Sequence, residues 1–415
     1  MREKELNILH LNSRDFRGGS ETVFNITRKN PFCENNYSGY YKTNLSSGEM
    51  PDVQFDSWEH ESRIKGAIHY IYSRKNYEEL LKFVRSRKID VIHFHDLFSS
   101  LSVSVYAALK LIKKNSTIKI IQTVHDYNLV CPNSTLFNYS RNSICEKCIG
   151  KKIKADIIFR NCDRRGWFHS ALKGIRSILA ENIYSNKEIV DLYIAPSNFI
   201  KEKMMMDGIS EDKIILLRNP IQKSAIEFSE CRENIICYFG RLSKEKNTEF
   251  LLDTFIAWKN KTKNNYKFLI IGEGESESRL NDIAAKSEWA NDVLFKPFLA
   301  HSDLMNEIKT AKYFTMASIW YENAPMVILE AVSAGLIPLV PDMGGMRETA
   351  ADLLECGAVY APNNSANWIR KIIDLEENYS SEFDRLKKSL SKIDEYSVEN
   401  YFKKLSEIYS QLRGE

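Results

Sequence analysis

Short unbroken apolar runs rich in isoleucine and valine recur along the chain, separated by stretches whose apolar positions return every three or four residues. The first pattern marks strands covered on both faces, as in a parallel sheet, and the second marks amphipathic helices. Their alternation predicts βαβ units from end to end. In the first half the expected strands are Leu6–Leu11, Val91–Phe94, Ile118–Val124 and Leu192–Ala195. In the second they are Ile214–Leu217, Ile235–Phe239, Phe268–Ile271, Val293–Phe295 and Ile337–Val340. Helical patterns fall between them, among them Glu249–Trp258, Leu304–Lys309 and Trp368–Leu375.

The fold class implied is α/β, with two doubly wound domains facing a cleft, and clefts between domains are favoured ligand sites. The break is expected at Arg218-Asn219-Pro220, where the residue before proline is pushed toward extended geometry. A polar stretch from Ser224 to Asn234 follows. This division gives domains 1–217 and 218–396. In the remaining segment, 397–415, Val398 to Leu412 is amphipathic, follows no strand and is expected to pack back on the first domain.

Composition narrows the class. At 415 residues the chain exceeds one typical core. A content of 43% hydrophobic and 27% charged residues is that of a globular protein, and a net charge of +3 selects no partner. No apolar run approaches the ~20 residues a membrane-spanning helix needs. The opening MREKELNILHLNSRD has no signal-peptide core. With eight cysteines and no export signal, the expected compartment is the cytoplasm and the expected state is thiol.

Candidate chemistry gathers at strand ends. Glu322 stands in a polar loop, and Glu330 is the one charge in a helix expected over Pro325–Ala334, with proline in its first turn and Gly335 just past its end. That helix is apolar on nearly every side, so Glu330 needs donors. Ligand hydroxyls would serve, and so would an Arg or Lys partner; both remain open. Strand Ile235–Phe239 runs into Gly240-Arg241-Leu242-Ser243-Lys244-Glu245-Lys246-Asn247, where a glycine admits a close ligand and Arg241 and Lys246 suit a diphosphate. A solvated basic turn is the alternative. Gly272-Glu273-Gly274 lacks the third glycine of a dinucleotide fingerprint and is rejected as one. Gly344-Gly345 and Gly18-Gly19 each open a helix, where exposed N–H groups attract anions. His95-Asp96 and His125-Asp126 also end strands; His95 reads as a half-buried histidine bonded to backbone, His125 as a ligand donor or acid–base group.

In this order the motifs resemble a known family. Glu322 and Glu330 match the E-x7-E signature of retaining glycosyltransferases of the GT-B fold, in particular the family-four nucleotide-sugar transferases that build bacterial surface polysaccharides. Gly18-Gly19-Ser20-Glu21, His125-Asp126-Tyr127, Asn219-Pro220, GRLSKEKN, IGEGE, YENAPMVILEA and GGMRE carry the likeness over nearly the whole chain. The resemblance implies an N-terminal acceptor-side domain and a C-terminal nucleotide-sugar-binding domain. By the same likeness Arg241 and Lys246 would clamp the donor diphosphate, and Glu330 would bind the ribose hydroxyls. Glu322 with Asn323, Ala324 and Pro325 would face the donor sugar, His125 would contact that sugar, and Gly18 and Gly19 would approach the phosphates. The family often has Pro-Ser before Trp-Tyr-Glu, whereas this chain has Ala317-Ser318-Ile319-Trp320, a change that reads as structural. The implied reaction moves a hexose-type unit from a UDP- or GDP-sugar to a glycan acceptor, lipid-linked, with the donor as co-substrate and no other cofactor. No Asp-x-Asp occurs, which argues against the metal-dependent transferases of the other common fold. An epimerase of the same fold and a non-catalytic scaffold are the alternatives.

Two features lie outside those motifs. Cys131, Cys145, Cys148 and Cys162 form C-x13-C-x2-C-x13-C within a basic insertion at about 131–180. Structural zinc is possible there, though reduced, partly buried thiols are the preferred reading. Lys151 to Ala180 carries eight Lys/Arg against two Asp, interleaved with Phe159, Trp167 and Phe168. This stretch is expected to seat the first domain on an anionic membrane surface, the alternative being a solvated helix face. Nucleic acid is not an expected partner, since no recognition fold is visible.

Overall fold

A computed structural model describes residues 6–16, 18–43, 49–98, 100–222 and 231–414. The chain forms two compact units, Met1–Pro220 together with Val398–Glu415, and Ile221–Ser397. Residues 224–230 of the expected polar linker lie outside the described residues.

In the first unit the strands are β1 (Asn7–Leu11), β2 (Asn35–Tyr40), β3 (Val53–Gln54), β4 (Val91–Phe94), β5 (Lys119–Thr123), a two-residue hairpin of β6 (Phe137–Asn138) and β7 (Ser143–Ile144), β8 (Leu192–Ala195) and β9 (Ile214–Leu216). Seven of them make a parallel sheet in the order β3-β2-β1-β4-β5-β8-β9. The central strands β1, β4 and β8 are buried at every position, as expected of a sheet covered by helices on both sides. The strand at Ile214–Leu216, grouped by its pattern with the second-half strands although the expected division at 217 leaves it in the first domain, forms the edge of this first sheet.

β2 has no apolar run in Asn35-Asn36-Tyr37-Ser38-Gly39-Tyr40, so its pattern does not announce a strand. Backbone pairing along all five positions of β1 holds it in place. A side chain at Gly39 would crowd Leu11, Phe55 and Val53, so the smallest residue is what fits.

The second unit holds β10 (Glu233–Phe239), β11 (Lys267–Ile271), β12 (Val293–Lys296), β13 (Ala311–Thr315), β14 (Ile337–Pro341) and β15 (Ala358–Tyr360). They form a parallel sheet in the order β12-β11-β10-β13-β14-β15. Both sheets share one plan, in which the strand order reverses beside the first strand, the arrangement of Rossmann-like domains. Helices Thr248–Thr262, Met326–Ser333 and Ser365–Glu377 bury Phe255, Trp258, Ile328, Val332, Trp368 and Ile372 in its core. Each such side chain contributes about 1.5–3 kcal/mol of apolar burial.

The C-terminal helix Val398–Arg413 packs on the first unit. Tyr401 pairs with the Thr27 hydroxyl at 2.8 Å, Asn30 donates to the Ser406 hydroxyl at 3.1 Å, and Tyr409 meets Nδ1 of His93 at 2.6 Å. Tyr401, Leu405 and Tyr409 are buried, which accounts for the helix's apolar stripe.

Candidate active site

In open parallel sheets, ligands settle beyond the carboxyl ends of the strands where the order reverses. In the second unit that point lies between β10 and β13. The loops leaving there are residues 240–247 and 316–325, which carry most of the residues singled out by sequence. Gly240 has φ of 144°, a conformation glycine tolerates and other residues avoid. The exposed Arg241 follows it.

The two loops are bound together. Ile319 N–H donates to the Glu245 carbonyl at 2.9 Å. Lys246 Nζ lies 2.6 Å from Glu322 Oε1, and that same oxygen accepts from the Ser318 hydroxyl at 2.7 Å and the Trp320 indole N–H at 2.8 Å. Burial works to raise the Glu322 carboxyl, but Lys246 and the hydrogen bonds outweigh it and hold the group below its ordinary value. Glu322 is therefore an ionised carboxylate in a three-donor cage. Ser318 and Trp320 were not among the expected site residues; their positions four and two before Glu322, in one loop, were the available signal.

The glycine motifs act through close backbone approach, with protein as the approaching group. A Cβ on Gly272 would run into the Gly240 carbonyl oxygen, and one on Gly274 into that of Leu242. Gly240 N–H donates to Ile271 at 3.0 Å and Leu242 N–H to Glu273 at 2.9 Å, so two strand-end loops lie backbone to backbone. Gly345 does the same for the loop after β13. Its N–H donates to the Glu322 carbonyl at 2.8 Å, and a Cβ there would strike the Asn323 carbonyl oxygen. The Gly344-Gly345 pair thus seats the backbone of Glu322 and Asn323.

Pro325 caps the helix Met326–Ser333, and Gly335 follows it with φ of 83°. Ile328, Leu329, Ala331 and Val332 are buried, while Glu330 is half-buried. Among the described residues no Arg or Lys pairs with Glu330, so the ion-pair alternative does not hold. Desolvation alone raises its carboxyl to about 7.

In the first unit the corresponding point lies between β1 and β4, with β5 beside it. His95 and His125 stand just past β4 and β5. Contrary to expectation, the His95 ring does not turn to backbone: its Nδ1 lies 2.8 Å from His125 Nε2. Adjacent parallel strands bring the two dipeptides side by side, which a spacing of thirty residues does not reveal. Burial lowers His125 to about 3 and His95 well below its usual value, so both are neutral. Asp126 is raised to about 8, by burial first and then by Asp96.

Gly18 caps the helix Gly19–Thr27 in extended conformation. The Glu21 carboxylate, bonded to Ser20 at 2.8 Å, occupies the space where a Gly18 side chain would stand. Burial raises Glu21, against the effect of Ser20.

Cys131, Cys148 and Cys162 are buried, Cys145 is half-exposed, and all four are free thiols. Burial raises the first three, Cys162 to about 12. Among the described residues, no three His, Cys, Asp or Glu side chains are grouped so as to hold a metal ion.

Much of the basic stretch is committed internally. Lys154 is buried against Glu181 and Asp207 at 2.9 and 3.1 Å, Lys173 pairs with Asp163 at 2.8 Å, and Arg176 lies 4.1 Å over the Phe98 ring and 4.8 Å over Tyr70. What faces solvent is mixed: Lys151, Lys152, Arg164 and Arg165 beside the apolar Ile153, Phe159, Trp167, Phe168, Ile175 and Ile183, joined by Ile64 and Ile68 on the adjoining helix Arg63–Ile71. Phe159 is 86% exposed and Trp167 60%. Among the described residues, no helix is long and apolar enough to cross a membrane.

The fold and the strand-end loops together define an enzyme of the GT-B class, two Rossmann-like parallel sheets with their polar side chains at the switch points. Comparison with known proteins agrees. Residues 222–395 match the family of glycosyl transferases group 1, and residues 60–224 match Glycosyltransferase Family 4. The chain is a glycosyltransferase with the GT-B fold. It is 26% identical to an uncharacterized 42.6 kDa protein in the cps region of Klebsiella pneumoniae, over 82% of this chain and 78% of that one. It is 25% identical to the UDP-Gal:alpha-D-GlcNAc-diphosphoundecaprenol alpha-1,3-galactosyltransferase of Escherichia coli, over 67% and 64% of the two chains. Among solved structures it shares the fold of the lipopolysaccharide outer core galactosyltransferase WaaB in its apo form, with a TM-score of 0.64 at 17% identity over 98% and 100% of the chains. Anabaena Alr3699/HepE in complex with UDP and glucose gives 0.69 at 14% identity over the same shares.

Proposed function

We propose that this chain is a retaining, metal-independent hexosyltransferase. It takes a sugar from a UDP- or GDP-linked donor and passes it to a lipid-linked glycan in cell-surface polysaccharide assembly. The observation that carries this reading is the strand-end cluster of the second unit. A caged pair, Lys246 and Glu322, stands in loops beside the exposed Arg241, and the carboxyl of half-buried Glu330 lacks a partner among the described residues. Lys246 and Arg241 supply positive charge to a leaving diphosphate, as an enzyme must where negative charge develops. Glu330 accepts hydrogen bonds from ribose hydroxyls, which pair the carboxylate that the described residues leave unpaired. Glu322 with Asn323, Ala324 and Pro325 faces the sugar, His125 contacts it, and Gly18 and Gly19 approach the phosphates. The UDP-galactose and lipid diphosphate in the name of the E. coli relative support the choice of donor and acceptor, as does the cps region of the Klebsiella relative.

A thermal-shift screen against UDP-, GDP- and other nucleotide sugars tests the donor. One preferred sugar nucleotide should raise the midpoint by several degrees at saturating concentration, since a ligand that binds only the folded state stabilises it by mass action. No shift with any member of the panel would end the donor reading.

The first unit is also proposed to rest on an anionic bilayer through the helices Arg63–Ile71 and Trp167–Ile178. Half of the sixteen large hydrophobic side chains exposed across the described residues lie within or beside these helices, interspersed with Arg63, Lys65, Lys151 and Lys152. Aromatic rings beside basic residues suit the headgroup boundary, with bulk apolar insertion adding to the charge attraction. Co-sedimentation with phosphatidylglycerol vesicles should exceed that with phosphatidylcholine, and the double substitution Trp167→Glu with Phe168→Glu should release the protein. Equal recovery with both vesicles, or no effect of the double substitution, would refute the docking face.

A further inference from the structure

We propose that His95 is a positioning residue of the transfer reaction: its side-by-side hydrogen bond to His125 holds that ring with its proton on Nδ1, the form that donates to a sugar oxygen. The role rests on the reading of His125 as a sugar contact.

The bond has an unusual geometry for two histidines. The rings are within 12° of parallel, their centres stand 5.1 Å apart, and Nδ1 of His95 meets Nε2 of His125 at 2.8 Å. Rings joined nitrogen to nitrogen at that centre distance lie edge to edge in one plane, not face to face. Both are neutral, so one proton serves the bond, and the ring that gives it decides the tautomer of the other.

The far side of His95 decides which ring gives. Its Nε2 is buried and has no hydrogen-bond partner among the described residues. A proton there would be an orphaned buried N–H, which is scarcer in folded proteins than an orphaned acceptor. The proton of His95 therefore sits on Nδ1 and is donated to His125 Nε2. His125 then carries its own proton on Nδ1.

The ring of His95 is itself held. His93 lies 4.7 Å away at 24°, and Phe24 stands across it at 5.5 Å and 79°. His93 is fixed in turn by Tyr409 at 2.6 Å and the Thr123 hydroxyl at 2.8 Å. Rotation of His95 would break the bond to His125 and meet packed rings on both sides. Outer partners that fix a histidine tautomer in this way matter at metal sites, where their removal costs roughly 10- to 100-fold.

Long-range 1H–15N NMR of the full chain, labelled with 15N-histidine and free of ligand, reads the tautomer directly, with the His125 signals assigned by their loss in His125→Gln. The expected wild-type spectrum shows His125 as the Nδ1–H form alone. His95→Leu should give a mixture, and His95→Asn, whose amide N–H can stand where Nδ1–H stood, should restore the single form. Donor hydrolysis, measured with the nucleotide sugar selected by thermal shift, should fall roughly 10-fold or more in kcat in His95→Leu with little change in KM, and recover in His95→Asn. A wild-type His125 in the Nε2–H form, or an unchanged tautomer in His95→Leu, overturns the proposal; the wild-type spectrum decides even where that variant fails to fold. A purely packing role would lower the melting point and leave tautomer and kcat alone. If the tautomer is locked as expected but His125→Ala retains full activity, the sugar-contact reading is what fails, and the catalytic role of His95 falls with it.

Discussion

Lys246→Ala is expected to lower the kcat of sugar transfer by about a hundred- to a thousandfold, the effect of removing one preorganised donor from a developing negative charge. The fold survives, since Lys246 is a loop residue and two of the three donors on Glu322 Oε1 remain, Ser318 and Trp320. Stability falls by about 1–3 kcal/mol, the cost of leaving a largely buried group short of one bond. The Lys246 and Glu322 side chains are 17% and 14% exposed, so solvent screens the pair only in part. The sign with pH follows from the direction of the shift. Glu322 is held below its ordinary value, so its stabilising contribution is present above the unfolded carboxylate value and is lost as pH falls through the folded one. Without Lys246, burial is less opposed and the acid-side loss begins at higher pH. Steady-state turnover with the preferred donor, beside thermal melts at several pH values, checks both parts. Wild-type turnover in the variant would remove the diphosphate role.

Binding of the preferred nucleotide sugar is expected to strengthen as pH rises toward about 7 and then level off, and Glu330→Gln to abolish that dependence. Burial holds the carboxyl at about 7, above its unfolded value. Glu330 thus favours folding most at low pH, and this contribution disappears as pH rises through about 7. If ribose hydroxyls bind the ionised form, as proposed, binding releases a proton wherever the free enzyme still holds one. Affinity then climbs by up to about tenfold per pH unit on the acid side. In Glu330→Ala the loss of hydrogen bonds to a charged group amounts to about 1.5–3 kcal/mol, roughly 10- to 150-fold in Kd. Calorimetry across the pH range measures both effects. Glu330→Gln should also melt higher than wild type above pH 7 in the absence of ligand, because the buried charge is gone. Unchanged affinity in Glu330→Ala would dismiss the ribose assignment.

Local pattern made most strands legible. Val91–Phe94 and Leu192–Ala195 appear with the bounds their apolar runs imply, and Phe268–Ile271 and Ile337–Val340 each lengthen by one residue. β2 and β13 went unseen because their backbones are placed by neighbours while their sequences, NNYSGY and AKYFT, carry little alternation or run. The strand at Ile214–Leu216 was visible as a strand but not as an edge of the first sheet, since an apolar triplet does not say which sheet it joins. The basic character of residues 151–180 misled in part. Lys154, Lys173 and Arg176 turn inward to carboxylates and rings, and the surface left behind mixes exposed apolar side chains with Lys151, Lys152, Arg164 and Arg165.

By itself the sequence determined the α/β class, the glycosyltransferase motifs and their places at strand ends, because periodicity, glycine and proline act over a few residues. Tertiary structure alone decided the pairings. Lys246 and Glu322 are 76 positions apart and meet because β10 and β13 are neighbours in the sheet; His95 and His125 meet because β4 and β5 are. It also decided that the glycine motifs hold loop against loop, and that the half-buried Glu330 carboxyl has no partner among the described residues while Glu322 has three. Burial and hydrogen-bond partnership are set by which strands lie side by side, and strand order is not written in any local stretch of the chain.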